Sequence, residues 1–117
     1  MSSVLNNFKN DTICAIATAM SDAGIGIIRV SGSKALEICD KIYCSAKMEH
    51  NLKDHKPNTI VYGYICDDSK DSENKIVDEV MISYMKAPHS YTREDVIEIN
   101  SHGGMLVMNQ ILLLLLE

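Results

Sequence analysis

The 117-residue chain has no apolar run near the ~20 residues that cross a bilayer; its most apolar stretch, Ile111 to Leu116, stops far short of that. A membrane anchor is therefore not expected. The first residues, Met1 to Lys9, lack the apolar core of a secretory signal, so the expected location is the cytoplasm. An excess of positive charge is also missing. Lys and Arg total 11 against 16 Asp and Glu, a formal charge of −5, and such a surface repels a polyanion on average. By itself the chain should bind nucleic acid poorly. Lys9, Arg29, Lys34, Lys41 and Lys47 gather in the first half, as a solvated face or as a local basic patch.

Several chemical signatures are absent too. None of Cys14, Cys39, Cys44 and Cys66 forms a C-x-x-C pair or has a histidine at zinc-finger spacing, which leaves reduced structural thiols as the expectation. Gly32-Ser33-Lys34 reverses the order of a phosphate-binding loop and lacks its preceding glycine. There is no nucleophile elbow, paired-histidine zinc motif, calcium loop or internal repeat. No catalytic residue and no metal ligand is assigned to this chain.

What is present is the balance of an ordinary globular domain, 46% hydrophobic and 23% charged, long enough for one modest core. Residues 1–117 are therefore read as one domain. Asp11 to Thr18 reads as a strand and Gly24 to Val30 as a second, β-branched strand returning beside it in a hairpin. Ser31 or Ser33 can cap a helix over 33–44, where Ala35, Leu36, Ile38, Cys39, Ile42 and Tyr43 recur at helical spacing. Polar residues 45–58 read as a surface loop. Strands follow at 59–66 and 75–85, separated by an acidic loop, 67–74, charged enough to be mobile. Thr92 to Asp95 opens a short turn, Val96 to Asn100 alternates as a half-buried strand should, and Met105 to Leu116 is a second helix. The order favours an α+β fold, with two main helices on a mixed β-sheet. The second helix is apolar on every side, so it should be buried on every side; the expectation is a piece of a longer chain whose next segment would cover it.

Two stretches carry residues suited to binding. In Gly24 to Gly32 (GIGIIRVSG), glycines allow close backbone approach and Arg29 ends an apolar strand. That cation needs either an anionic or carbonyl ligand or one of the chain's own carboxylates. In Tyr91 to Gly104, Glu98 and Asn100 share one face of their strand, which suits either a solvated surface or a heterocycle edge rich in N–H groups. Gly103-Gly104 at a helix start make an anion site or only a tight turn, and His102 before them is an acid, a base or a hydrogen-bonding spacer.

Asp11-Thr12-Ile13, Ala17-Thr18 and Gly24 to Gly32 resemble the amino-terminal signature of the MnmE (TrmE) family of tRNA-modifying GTPases, and Pro88 to Gly104 (PHSYTREDVIEINSHGG) resembles its second signature. The resemblance covers nearly the whole chain. It implies a fold like the folate-binding domain of glycine-cleavage aminomethyltransferases, a constitutive homodimer, and a bound tetrahydrofolate derivative, 5-formyl- or 5,10-methylene-. By position, Arg29 and Glu98 match the family's folate contacts, with Glu98 accepting from pterin N–H groups. The resemblance further implies that the complete protein carries a GTPase using GTP, Mg and K. With the flavoprotein MnmG it would install an aminomethyl-type group at the tRNA wobble uridine. This piece would lack the GTPase and be inactive alone. The alternative is a dimerisation scaffold that binds no folate by itself.

Overall fold

The computed structural model describes residues 12–17, 25–71, 73–87, 94–102 and 104–116. In chain order they form β1 (Ile13–Ile16), β2 (Gly26–Ser31), α1 (Ala35–Ile42), β3 (Tyr43–Cys44), β4 (Thr59–Cys66), β5 (Ile76–Met85), β6 (Val96–Ser101) and α2 (Gly104–Leu116). The strands make one sheet in the order β1-β2-β6-β5-β4-β3. The expected hairpin is present, with Ile13 opposite Ser31 and Ile16 opposite Ile28, although the expected turns at 20–23 and 92–95 lie wholly or partly outside the described residues.

The sheet is antiparallel at every described pairing, where a mixed sheet was expected. The reason is where α1 delivers the chain. A helix that returned its strand beside β2 would create a parallel pair, but α1 leads instead into β3 at the far edge, and the chain comes back through β4 and β5 to lay β6 antiparallel against β2.

One face of the sheet is buried under the helices. Ile28, Val30, Val61, Ile65, Val80, Ile82, Tyr84, Ile97 and Ile99 form a single cluster with Ala35, Cys39 and Ile42 of α1 and Met108, Ile111 and Leu115 of α2. In both helices these positions recur at three- and four-residue intervals, which places them on one stripe. The outer side of α2, including Leu106, Leu113 and Leu116, is exposed. An apolar composition all round marks this helix, but the sheet takes only one side of it.

The first helix is shorter than expected. Lys34 stands at its N-cap with no side-chain cap bond, rather than Ser31, which belongs to β2, or Ser33. The cap is supplied from far away in sequence, since the Lys34 N–H donates to Thr12 Oγ1 at 3.0 Å. At its other end Tyr43 turns to extended backbone and, with Cys44, joins β4. Its ring is fully buried and its hydroxyl donates to the Tyr62 carbonyl at 3.1 Å. That burial and pairing override the helical spacing that had included Tyr43.

The segment 45–58, expected as a plain surface loop, is pinned at Leu52, which is buried in a single 3-10 turn. Asp40, itself buried at the end of α1, accepts the Leu52 N–H at 2.7 Å. The acidic loop is also tied. Asp67 accepts from the Ser69 N–H and hydroxyl, while Asp68 meets Lys75 at 2.9 Å and His50 at 3.0 Å. Hydrogen bonding to Lys75 lowers the Asp68 pKa and raises that of Lys75 in turn.

All four cysteines are free thiols. Burial, aided by the neighbouring Cys44, pushes Cys66 up to about 12, and burial raises the Cys39 thiol further still. An unfolded thiol ionises near pH 8.5, whereas these two keep their protons in the folded state. Their contribution to stability is complete below that pH and is lost as the pH climbs towards the folded values, by about 1 kcal/mol per pH unit for each. Denaturant midpoints under reducing conditions should therefore be lower at about pH 10.5 than at about pH 8, and Cys39→Ala should flatten that decline. Equal midpoints at the two pH values would refute this account.

Candidate functional site

Among the described residues, no helix covers the sheet's second face. Alternation puts Ala15, Arg29, Glu98, Ser83 and Ile60 in one row across β1, β2, β6, β5 and β4, by direct pairing of each with the next. The next row is Ile27, Asn100, Met81 and Tyr62. Polar side chains thus occupy the middle of the face, and exposed apolar ones, Ile60 at 66%, Tyr62 at 53% and Met81 at 49%, lie to one side of them.

The two residues singled out from the sequence, 69 positions apart, are opposite partners in the β2–β6 ladder. Arg29 donates to Glu98 Oε2 twice, from Nε at 2.8 Å and from a terminal guanidinium nitrogen at 2.6 Å. The Arg29 side chain is 39% exposed and that of Glu98 17%. A pair this accessible is screened by water and adds little to stability, on the order of 1 kcal/mol or less. Both charges therefore sit where a ligand could reach them. Of the two alternatives for Arg29, the structure shows a carboxylate of the chain itself: Glu98, the other candidate site residue.

Beside them, Asn100 donates from Nδ2 to the Met81 carbonyl at 3.2 Å. Tyr62 donates its hydroxyl to Glu79, and this bond, with a further one to Tyr64, raises the Tyr62 pKa, so the hydroxyl stays protonated at neutral pH. The Tyr62 and Tyr64 rings meet edge to face, 5.9 Å between centroids. Met81, Ser83, Tyr62 and Ile60 were missed as site residues. Their signal was the alternation within 59–66 and 75–85, but nothing local reveals which face a helix will cover.

Gly32 explains the glycine of the first stretch. It has φ +144°, and its N–H donates to the Asp95 carbonyl at 2.9 Å. His102 follows β6 directly, whereas Gly103 lies outside the described residues, so the glycine pair as an anion site is not described. An open cleft of about 470 Å³, lined by Lys70, Asp71, Asn74, Ile76, Val77 and Gln110, contains none of the residues of the open face. Among the described residues no group of three His, Cys, Asp or Glu is placed to hold a metal ion, and no helix is long and apolar enough to cross a membrane.

The family described as "GTP-binding protein TrmE N-terminus" matches residues 12–117. The chain belongs to that family. Among curated relatives, the tRNA modification GTPase MnmE of Alkaliphilus metalliredigens is 54% identical over 110 residues, which is 94% of this chain and 23% of that protein. The MnmE proteins of Clostridioides difficile and Streptococcus mutans are 49% identical over 110 residues and 50% over 114, again covering 23% of each relative. The chain thus spans about a quarter of the length of these relatives. Apart from Asp11, both signature stretches fall within the matched region, and their described parts meet at the β2–β6 ladder.

Proposed function

We propose that this chain is a folate-binding and dimer-forming domain of a cytoplasmic tRNA-modifying GTPase, with Arg29 and Glu98 at the folate site. The carrying observation is the accessible Arg29–Glu98 pair at the centre of the uncovered sheet face. The residues there fit a reduced folate. The oxygen of Glu98 that Arg29 engages is Oε2, and Asn100 engages the protein through Nδ2, so Glu98 Oε1 and Asn100 Oδ1 have no partner among the described residues. Two acceptors side by side suit the amino and ring N–H groups of a pterin.

Arg29 holds Glu98 in place as an acceptor, while Asn100 is oriented by its bond to the Met81 carbonyl. Bound here, the folate would supply a one-carbon unit. The flanking strip of Ile60, Tyr62 and Met81 supports the second half of the reading, because an exposed apolar surface of this kind is what a pairing partner covers. GTP hydrolysis with Mg and K, the flavoprotein MnmG and the tRNA wobble uridine belong, in this reading, to the complete protein. The names of the relatives support that assignment, and the net charge of −5 agrees with tRNA being held elsewhere.

Calorimetric titration of 5-formyl-tetrahydrofolate into the 117-residue chain, with oligomer mass recorded on the same samples, tests both halves. Arg29→Ala and Glu98→Ala should each weaken binding about tenfold or more, the scale of one charge-assisted hydrogen bond, with little change in melting temperature. A well-folded dimer that takes up no folate would favour the scaffold reading. The closed Arg29–Glu98 pair would then be a structural cross-strand bridge.

A further inference from the structure

The acceptor pattern does not stop at Asn100. Glu98, Asn100 and His102 follow one another at two-residue spacing, about 6.8 Å per step along an antiparallel strand. In each, one polar atom is held by the protein. Glu98 Oε2 is held by Arg29, Asn100 Nδ2 by the Met81 carbonyl, and His102 Nδ1 by the Glu79 carbonyl at 3.1 Å. Asp78 fixes His102 further, accepting its backbone N–H on Oδ2 at 2.7 Å and lying 3.5 Å from Nδ1 through Oδ1.

A carbonyl only accepts, so in the neutral ring the proton sits on Nδ1 and the lone pair on Nε2. The imidazole is 65% exposed, and Nε2 has no partner among the described residues. The three atoms left over are Glu98 Oε1, Asn100 Oδ1 and His102 Nε2. All three are acceptors.

We propose that His102 is a ligand-binding residue of the same site, its Nε2 accepting a hydrogen bond from an N–H or O–H of a ligand lying along β6. Asp78 and Glu79 are positioning residues that set the tautomer and the ring orientation. The inference rests on the folate reading above and deepens it. A bicyclic head spans the first interval, from Glu98 to Asn100, and His102 takes the next donor on the group attached to it. The ligand's edge along β6 is thus donor-rich over its whole length. Its anionic end lies away from His102, because the Asp78 and Glu79 carboxylates repel it.

The test pairs two substitutions with one spectroscopic signal in the 117-residue chain. In His102→Asn the amide can still reach the Glu79 carbonyl but leaves the position of Nε2 empty, whereas in His102→Gln the longer side chain can return an oxygen to it. The probe is 5-formyl-tetrahydrofolate. His102→Asn should weaken binding about tenfold and His102→Gln about threefold or less, with unchanged melting temperatures. In the wild-type chain the ¹⁵N resonance of His102 Nε2 should move on saturation while that of Nδ1 stays. Folate binding that Arg29→Ala weakens but His102→Asn does not, or an Nε2 resonance unmoved at saturation, overturns this inference alone. A wild-type chain that binds no folate overturns the underlying reading, and this one with it.

Discussion

Gly32→Ala is expected to destabilise the domain by about 3 kcal/mol or more, enough to lower its melting temperature by roughly 10 °C. Two costs combine. With φ at +144°, Gly32 lies where a side chain strains the backbone, and an added Cβ would stand 2.5 Å from the Cα of Thr12. Backbone on the neighbouring segment cannot swing aside as the end of a flexible side chain can. Thr12 is also the residue that caps α1 through Lys34, so displacing it loosens the start of that helix. Thermal melts of Gly32→Ala beside Ser33→Ala, an exposed neighbouring position, separate this effect from a general sensitivity of the segment. A Gly32→Ala melt within 2 or 3 °C of wild type, on the order of half a kcal/mol, would show that the close approach is not rigid.

Ile99→Ala should cost a similar amount, about 3 to 4 kcal/mol, by removing buried methyl groups and leaving a cavity. Ile99 has no exposed surface, and its ladder partners Ile28 and Ile82, one on each side, have none either. The loss is a large part of the 5 to 15 kcal/mol that holds a typical domain together. Ile99 lies between Glu98 and Asn100 in β6, yet its side chain is on the opposite face. Folate affinity at low temperature should therefore change far less than stability, whereas Glu98→Ala should show the reverse. Denaturant titration and calorimetry on the same two variants decide the point. Equal loss of affinity in both would mean that the face is not held rigidly by the core behind it.

The relation between the two faces also shows how far the sequence could be read. Period-two alternation in 96–100 was legible, because apolar residues must alternate when only one side of a strand is buried, and 59–66 and 75–85 read as strands beside it. Five strands and both helices were therefore placed close to where they stand. Arg29 was legible as a candidate because a cation in an apolar strand needs a partner, and Glu98 because it shares a strand face with Asn100, while their match to folate contacts came from the family resemblance. That they are partners of each other was not legible. A register between segments 69 positions apart is set by packing, and a slip of one residue would have moved Glu98 to the core face.

The ends of α1 show the same limit in local structure. Helical spacing includes Tyr43, but a buried site under β4 and a hydroxyl bond to Tyr62 draw it into a strand. Serines precede the helix and are good caps in isolation, yet Thr12, brought alongside by the β1–β2 hairpin, provides the acceptor.

What the sequence determined by itself is the alphabet of the domain: its strand and helix segments, its charge balance, its lack of a phosphate-binding loop, and the two signature stretches that mark the family. These depend on residues close together in the chain, whose spacing carries the signal. What only the tertiary structure decided is the antiparallel order of the sheet, the face that the described helices leave open, and the alignment of Glu98, Asn100 and His102 along and just beyond β6. Each depends on which distant segments pair and which face the helices cover, and those choices are made by the total burial of the folded chain and not by any local pattern.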